Sequence, residues 1–161
     1  MIEPELFEDD RGFFFESYNQ KNFEKAIGRK INFVQDNHSN SVKGVLRGLH
    51  IQDPPYAQAK LIRVINGKVW DVAVDVRKNS STFGNWVAET LSSENKKQLW
   101  IPEGFAHGFY VLSEIAEVVY KVNRFYSIEH QRTIHWKKNN FSIQWPVKND
   151  SVLLSKADAN A

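Results

Sequence analysis

The stretch VLRGLHIQDPPYAQAKLIRVINGKVWDVAVDVR, residues 45–77, decides how this chain is read. Asn66-Gly67 is a strong signal for a two-residue hairpin turn, since both residues tolerate positive φ, and alternating Val, Ile and Trp flank it on either side. The stretch therefore predicts a β-hairpin. Strand alternation puts Lys60 on the same face as Ile62 and Val64, so if that face is the core, a lysine points inward. His50 closes another strand-like run at the head of the stretch. An ammonium and an imidazole inside a β-barrel need a chemical reason, because burying an unpartnered charge is costly.

The rest of the chain is consistent with a barrel. Its 161 residues fit one domain, 1–161, long enough to bury a core, and 42% hydrophobic and 13% aromatic content suits a strand-rich protein. The absence of Cys excludes disulfides, thiolate metal sites and a cysteine nucleophile. No apolar run approaches a membrane span and the N-terminus lacks the basic-then-apolar order of a signal peptide, so a cytoplasmic protein without a membrane partner is expected. With a net charge of +2 and no dense Lys/Arg block, nucleic acid is not an expected partner. A small anionic ligand would be enough to explain a few buried arginines.

Asn19 to Gly28 has the marks of a short helix: an Asn at the N-cap, a Gly just past the end, and Phe23 and Ile27 on one face. The remaining β-prone runs fall at 12–18, 31–37, 42–51, 60–65, 68–77, 86–91, 97–101, 107–112, 115–126 and 132–144. Turn residues such as Asp53-Pro54-Pro55 and Pro102-Glu103-Gly104 separate them. Many short strands at this spacing predict an all-β antiparallel sandwich or barrel. The segment LSKADANA, 154–161, reads as a tail.

Gly44 and His50, then Lys60 and Gly67, then PEGFAH at 102–107, follow the spacing of two motifs that resemble those of the cupin jelly rolls. In metal-binding cupins the first motif supplies two His and a Glu, and the second another His. Here those positions hold His50, Gln52, Lys60 and His107. A dication about 4 Å from an ammonium would be repelled by roughly 8 kcal/mol at an effective dielectric near 20, so no metal or other cofactor is expected. Bland readings exist beside this one: an inward His can be a satisfied core residue, and an inward Lys can pair with a structural carboxylate. Tyr120 shares a face with Ala116, Val118 and Val122, and its hydroxyl could simply bond backbone. Arg47 would lie opposite His50 on a regular strand, but a bulge at Gly48 would turn both toward one pocket.

DDRGFFFESYNQ (9–20), FVQDNHSNS (33–41), residues 44–86 and QLWIPEGFAHGFYVLS (98–113) together resemble the dTDP-4-dehydrorhamnose 3,5-epimerase family, over nearly the whole chain. The resemblance implies a cupin-type jelly-roll barrel with one or two short helices, a homodimer, no cofactor, and a nucleotide diphosphate sugar as substrate. It implies catalytic roles for His50 as base, Asp158 as its carboxylate partner, Tyr120 as the opposing acid and Lys60 facing the sugar's C4 oxygen. It places Arg11, Glu16, Gln35, Asn37, Arg47, His107 and Tyr126 at nucleotide, diphosphate or sugar contacts, with Arg47 on the diphosphate and Tyr126 stacked on the base. Gln131 joins the substrate-binding set but stands where the family is expected to have Glu, and Ala157 where Lys is common. Relatives also usually carry a further N-terminal strand. Three rivals follow: an epimerase acting at C3 or C5 only, a sugar 3,4-ketoisomerase, and a non-catalytic sugar-nucleotide binder.

Overall fold

The computed structural model describes residues 1–147 and 152–161. A small hairpin of β1 (Phe7–Asp9) and β2 (Gly12–Phe14) precedes helix α1 (Gln20–Ile27). Then come β3 (Gln35–Val42), β4 (Leu46–Gln52), β5 (Lys60–Asn66), β6 (Lys68–Asp75), β7 (Trp86–Ser92), β8 (Gln98–Ile101), β9 (Phe105–Val111) and β10 (Ile115–Val122). A 3-10 turn (Ile128–His130), β11 (Gln131–Thr133) and a helical turn, α2 (Lys156–Ala159), complete the order. β3-β10-β5-β8 form one antiparallel sheet and β11-β4-β9-β6-β7 the other. Their inner faces meet over Ile62, Val64, Leu99 and Val118 from the first and Val69, Leu91, Phe109 and Val111 from the second. This is the expected cupin-like jelly roll.

The Asn66-Gly67 turn is not the expected hairpin loop. β5 pairs with β8 and β10, and β6 with β7 and β9, so the turn carries the chain from one sheet to the other. Gly67 has φ 76°, and a side chain there would collide with the Ile115 carbonyl and the Ser113 hydroxyl. The inward parity of Lys60 survives because it depends only on the alternation within its own strand.

Each sheet is covered on its outside. Phe23 of α1, capped by Asn19 and ended by Gly28 as predicted, packs with Ile31, Leu61 and Trp100 on the four-stranded sheet. Ile31 and Phe33 belong to this cover, which is why the run read at 31–37 becomes a strand only at Gln35 and continues to Val42. The run read at 132–144 pairs only over Gln131–Thr133. Beyond it, Ile134, Phe141, Ile143 and Trp145 lie against the outer face of the five-stranded sheet, so their apolar spacing reflects packing rather than pairing. Leu153 then bridges Val45 in parallel, exchanging backbone bonds with Gly44 and Leu46, and brings α2 back onto β4.

Candidate active site

A cavity of about 250 Å³ opens at one end of the barrel, lined by Gln35, Asn37, His50, Lys60, Tyr120, Tyr126 and Gln131 among others. A wider depression of about 720 Å³ beside α1 is lined by solvated surface groups. β4 is irregular where predicted. Its pairing with β9 slips between Arg47 and His50, and Gly48, at φ 123°, lies so close to Gly108 that a Cβ would sit 2.6 Å from that residue's Cα. Arg47 consequently reaches the facing sheet, donating to Ser41 Oγ at 3.0 Å and to the Asn40 carbonyl at 3.3 Å.

His50 Nε2 lies 2.5 Å from Asp158 Oδ1. The segment read as a tail is anchored, and Asp158 is 2% exposed. Burial pushes its carboxyl up, but the His50 imidazole, the Ser155 hydroxyl at 2.9 Å and the Gly48 amide together hold it below the usual carboxylate value. The other nitrogen of His50 makes no hydrogen bond among the described residues.

Lys60 is buried, and burial brings its ammonium down to about 8, against the opposing pull of Asp71. No described residue forms an ion pair or hydrogen bond with it; Asp71 acts on its charge only through space. Asp71 escaped the sequence reading, although it shares the inward parity of Val69 and Ala73. It is fully buried, and both its oxygens lie 3.0 Å from His107 Nε2. Burial lowers the His107 pKa while Asp71 opposes the change. His107 thus stands behind the cavity beside its strand neighbour His50, oriented by a carboxylate. Among the described residues no three His, Asp or Glu side chains gather as a ligand set for a metal.

Tyr120 comes from β10 on the opposite sheet. Its hydroxyl bonds nothing among the described residues, contrary to the backbone-bonded core tyrosine considered above. Burial raises its pKa and the nearby Arg47 charge lowers it, with burial prevailing. At the mouth, Tyr126 donates its hydroxyl to Gln131 Oε1 at 2.6 Å and its backbone N–H to Gln35 Oε1 at 3.3 Å. Gln35 donates in turn to Asn37 at 2.8 Å. Arg11 and Glu16 are not at this cavity: Arg11 is spread over Asp9 in the exposed β1–β2 turn, and Glu16 accepts from Asn19.

The jelly roll sets an imidazole–carboxylate pair, an ammonium and an unbonded phenol around one cavity, groups able to do acid–base chemistry. The sequence model for dTDP-4-dehydrorhamnose 3,5-epimerase matches residues 1–161. The chain is 62% identical over 160 residues to the dTDP-4-dehydrorhamnose 3,5-epimerase of Shigella flexneri, covering 99% of this chain and 87% of that one. Its structure matches the dTDP-6-deoxy-D-glucose-3,5-epimerase of Legionella pneumophila Philadelphia 1 in complex with dTDP-4-keto-L-rhamnose, with TM-score 0.94, 51% identity and coverage of 99% and 84%. It also matches ChmJ, a 3'-monoepimerase from Streptomyces bikiniensis in complex with dTDP-quinovose, with TM-score 0.92, 31% identity and coverage of 99% and 80%. The chain belongs to the dTDP-4-dehydrorhamnose 3,5-epimerase family and is an isomerase.

Proposed function

We propose that the protein converts dTDP-4-dehydro-6-deoxy-D-glucose to dTDP-4-dehydro-L-rhamnose by inverting C3 and C5. The observation that carries the assignment of roles is that His50 and Tyr120 come from opposite sheets and line one cavity. His50, supported by Asp158, takes the proton from the carbon next to the C4 ketone. The bonding pair moves onto the C4 oxygen as an enolate, which the Lys60 ammonium stabilises; one such fixed donor is typically worth about 3–4 kcal/mol. Tyr120 returns a proton to the opposite face, and exchange with solvent restores His50 and Tyr120. The same sequence at the second carbon completes the reaction with no change of oxidation state. Arg47 serves the diphosphate, His107 the sugar, and Gln35, Asn37, Tyr126 and Gln131 the nucleotide end.

Incubation with this substrate in heavy water tests the reading: deuterium should enter at both C3 and C5, with inversion at each. Tyr120→Phe keeps the base, so exchange with retention should persist while net inversion drops sharply. Equal loss of exchange and inversion would move the phenol into the enolising step. Incorporation at one carbon alone would establish the single-site reading, which the likeness to the 3'-monoepimerase keeps in view. Binding without exchange would mark a silent binder.

The protein acts, on this reading, as one domain in a cytoplasmic homodimer. Phe7, Phe13 and Phe14 are exposed on the β1–β2 hairpin, which also holds Arg11 away from its own cavity. A second copy would cover the phenylalanines and bring Arg11 and Glu16 to a ligand. Light scattering at micromolar concentration should give twice the chain mass; a monomer would refute the arrangement.

A further inference from the structure

We propose that Gln52 is a positioning residue that locks the mouth of the cavity and so sets how tightly the nucleotide end of the ligand is held. Two residues after His50 on β4, it is 5% exposed and lines the same cavity. Both ends of its amide are used. Nε2 donates to the Tyr56 carbonyl at 3.2 Å, and Oε1 accepts the Ser127 backbone N–H at 2.9 Å. One side chain therefore joins the loop 53–59 to the loop 123–130, the two lips of the opening.

Ser127 immediately follows Tyr126, whose N–H and hydroxyl are held by Gln35 and Gln131. Ser127 also bonds the ring of His130 at 2.8 Å, and that ring packs on Tyr56 with centroids 4.5 Å apart. Removing Gln52 would free the backbone at the residue that links these two sets. Other bonds also join the lips, Gln58 Nε2 to the Arg124 carbonyl at 2.8 Å, the Ala59 N–H to Asn123 Oδ1 at 2.8 Å and the Asp53 N–H to the His130 carbonyl at 2.9 Å, but none of them holds the Ser127 N–H beside Tyr126. Since Gln52 meets the lips rather than the reacting carbons, its effect belongs to binding. The position where a metal-binding cupin carries an imidazole is here committed to two loops. The proposal rests on the epimerase reading only for the identity of the ligand.

Two substitutions separate the parts. Gln52→Met keeps the side-chain length and removes both bonding groups; Gln52→Glu keeps an acceptor for Ser127 and loses the donor to Tyr56. Amide exchange by NMR on the full chain should show Ser127 exchanging about tenfold faster in Gln52→Met and still protected in Gln52→Glu, as expected for loss of one buried hydrogen bond. The Kd for dTDP by calorimetry and the KM for dTDP-4-dehydro-6-deoxy-D-glucose should rise about tenfold in Gln52→Met, with kcat within about threefold. In Gln52→Glu both should rise less. A freed Ser127 amide with unchanged Kd would overturn the proposal, and so would a fall in kcat at constant KM. Should Gln52→Met fail to fold, Gln52→Glu decides: unchanged Kd and unchanged exchange across 53–58 would refute the clamp. If the wild type neither binds dTDP nor turns over the sugar, the epimerase reading fails. Even then, equal Ser127 protection in wild type and Gln52→Met would remove the clamp independently.

Discussion

The barrel interior has two halves built from the same strands. Followed along its inward row, β5 passes from Val64 and Ile62 to Lys60, β10 from Ala116 and Val118 to Tyr120, and β9 from Val111 and Phe109 to His107. One half is closed and apolar, with Val69, Leu91 and Val111 fully buried. The other buries Lys60, Asp71, His107 and Asp158, groups whose charged forms favour water. The closed half stabilises the fold; the polar half opposes it and, on the proposed reading, performs the chemistry. Substitutions in the two halves should therefore move different observables.

The largest effect is expected in the polar half. His50→Ala should reduce turnover by about a thousandfold and stop deuterium exchange at both C3 and C5. Persistent exchange at both carbons would remove His50 as the base. In the closed half, Leu91→Ala should cost about 3 kcal/mol of stability while turnover per folded molecule holds. A parallel loss of kcat would show that the halves are mechanically coupled.

Lys60→Met sharpens the contrast most. It should lower kcat about a hundredfold while stability holds or rises. The pH dependence adds a sign. With Lys60 at about 8 in the folded protein against 10.5 when unfolded, its burial penalty is fully present below pH 8. Between about 8 and 10.5 the unfolded chain keeps the extra proton, so wild-type stability rises relative to Lys60→Met as turnover falls. Stability and turnover declining together through that window would mean that the lysine charge supports the fold instead.

The two halves also differed in how far they could be read from sequence. Alternation in β5, β6 and β10 revealed the apolar rows and, by interruption, Lys60 and Tyr120. Asp71 interrupts its row in the same way, between Val69 and Ala73, but belongs to no motif that would mark it. β3 was misplaced because Gln35, Asn37, Ser39 and Ser41 put polar groups on its inner face as well as its outer one, leaving no hydrophobic period to detect. Asn66-Gly67 gave a turn correctly but the wrong partners, since pairing is decided by strands distant in sequence. The Gly48 bulge was legible because a glycine inside a strand signals close backbone approach. The resemblance linked Asp158 to His50, but the bridge at Leu153 and the Ser155 cap that hold the carboxylate there had no local signal.

The His50–Asp158 pair joins residues 108 positions apart in the chain. Closing so long a loop is among the more demanding steps for a folding chain, because entropy must be lost before the contact is gained. The cluster of Trp70, Trp86 and Trp145 can report that the five-stranded sheet is covered. Turnover, which on the proposed reading needs the His50–Asp158 pair, reports that the 153–159 segment has found β4. On the proposed reading, the supported base is thus a property of the completed topology, and enzymatic activity is a stricter measure of correct folding here than the fluorescence of its tryptophans.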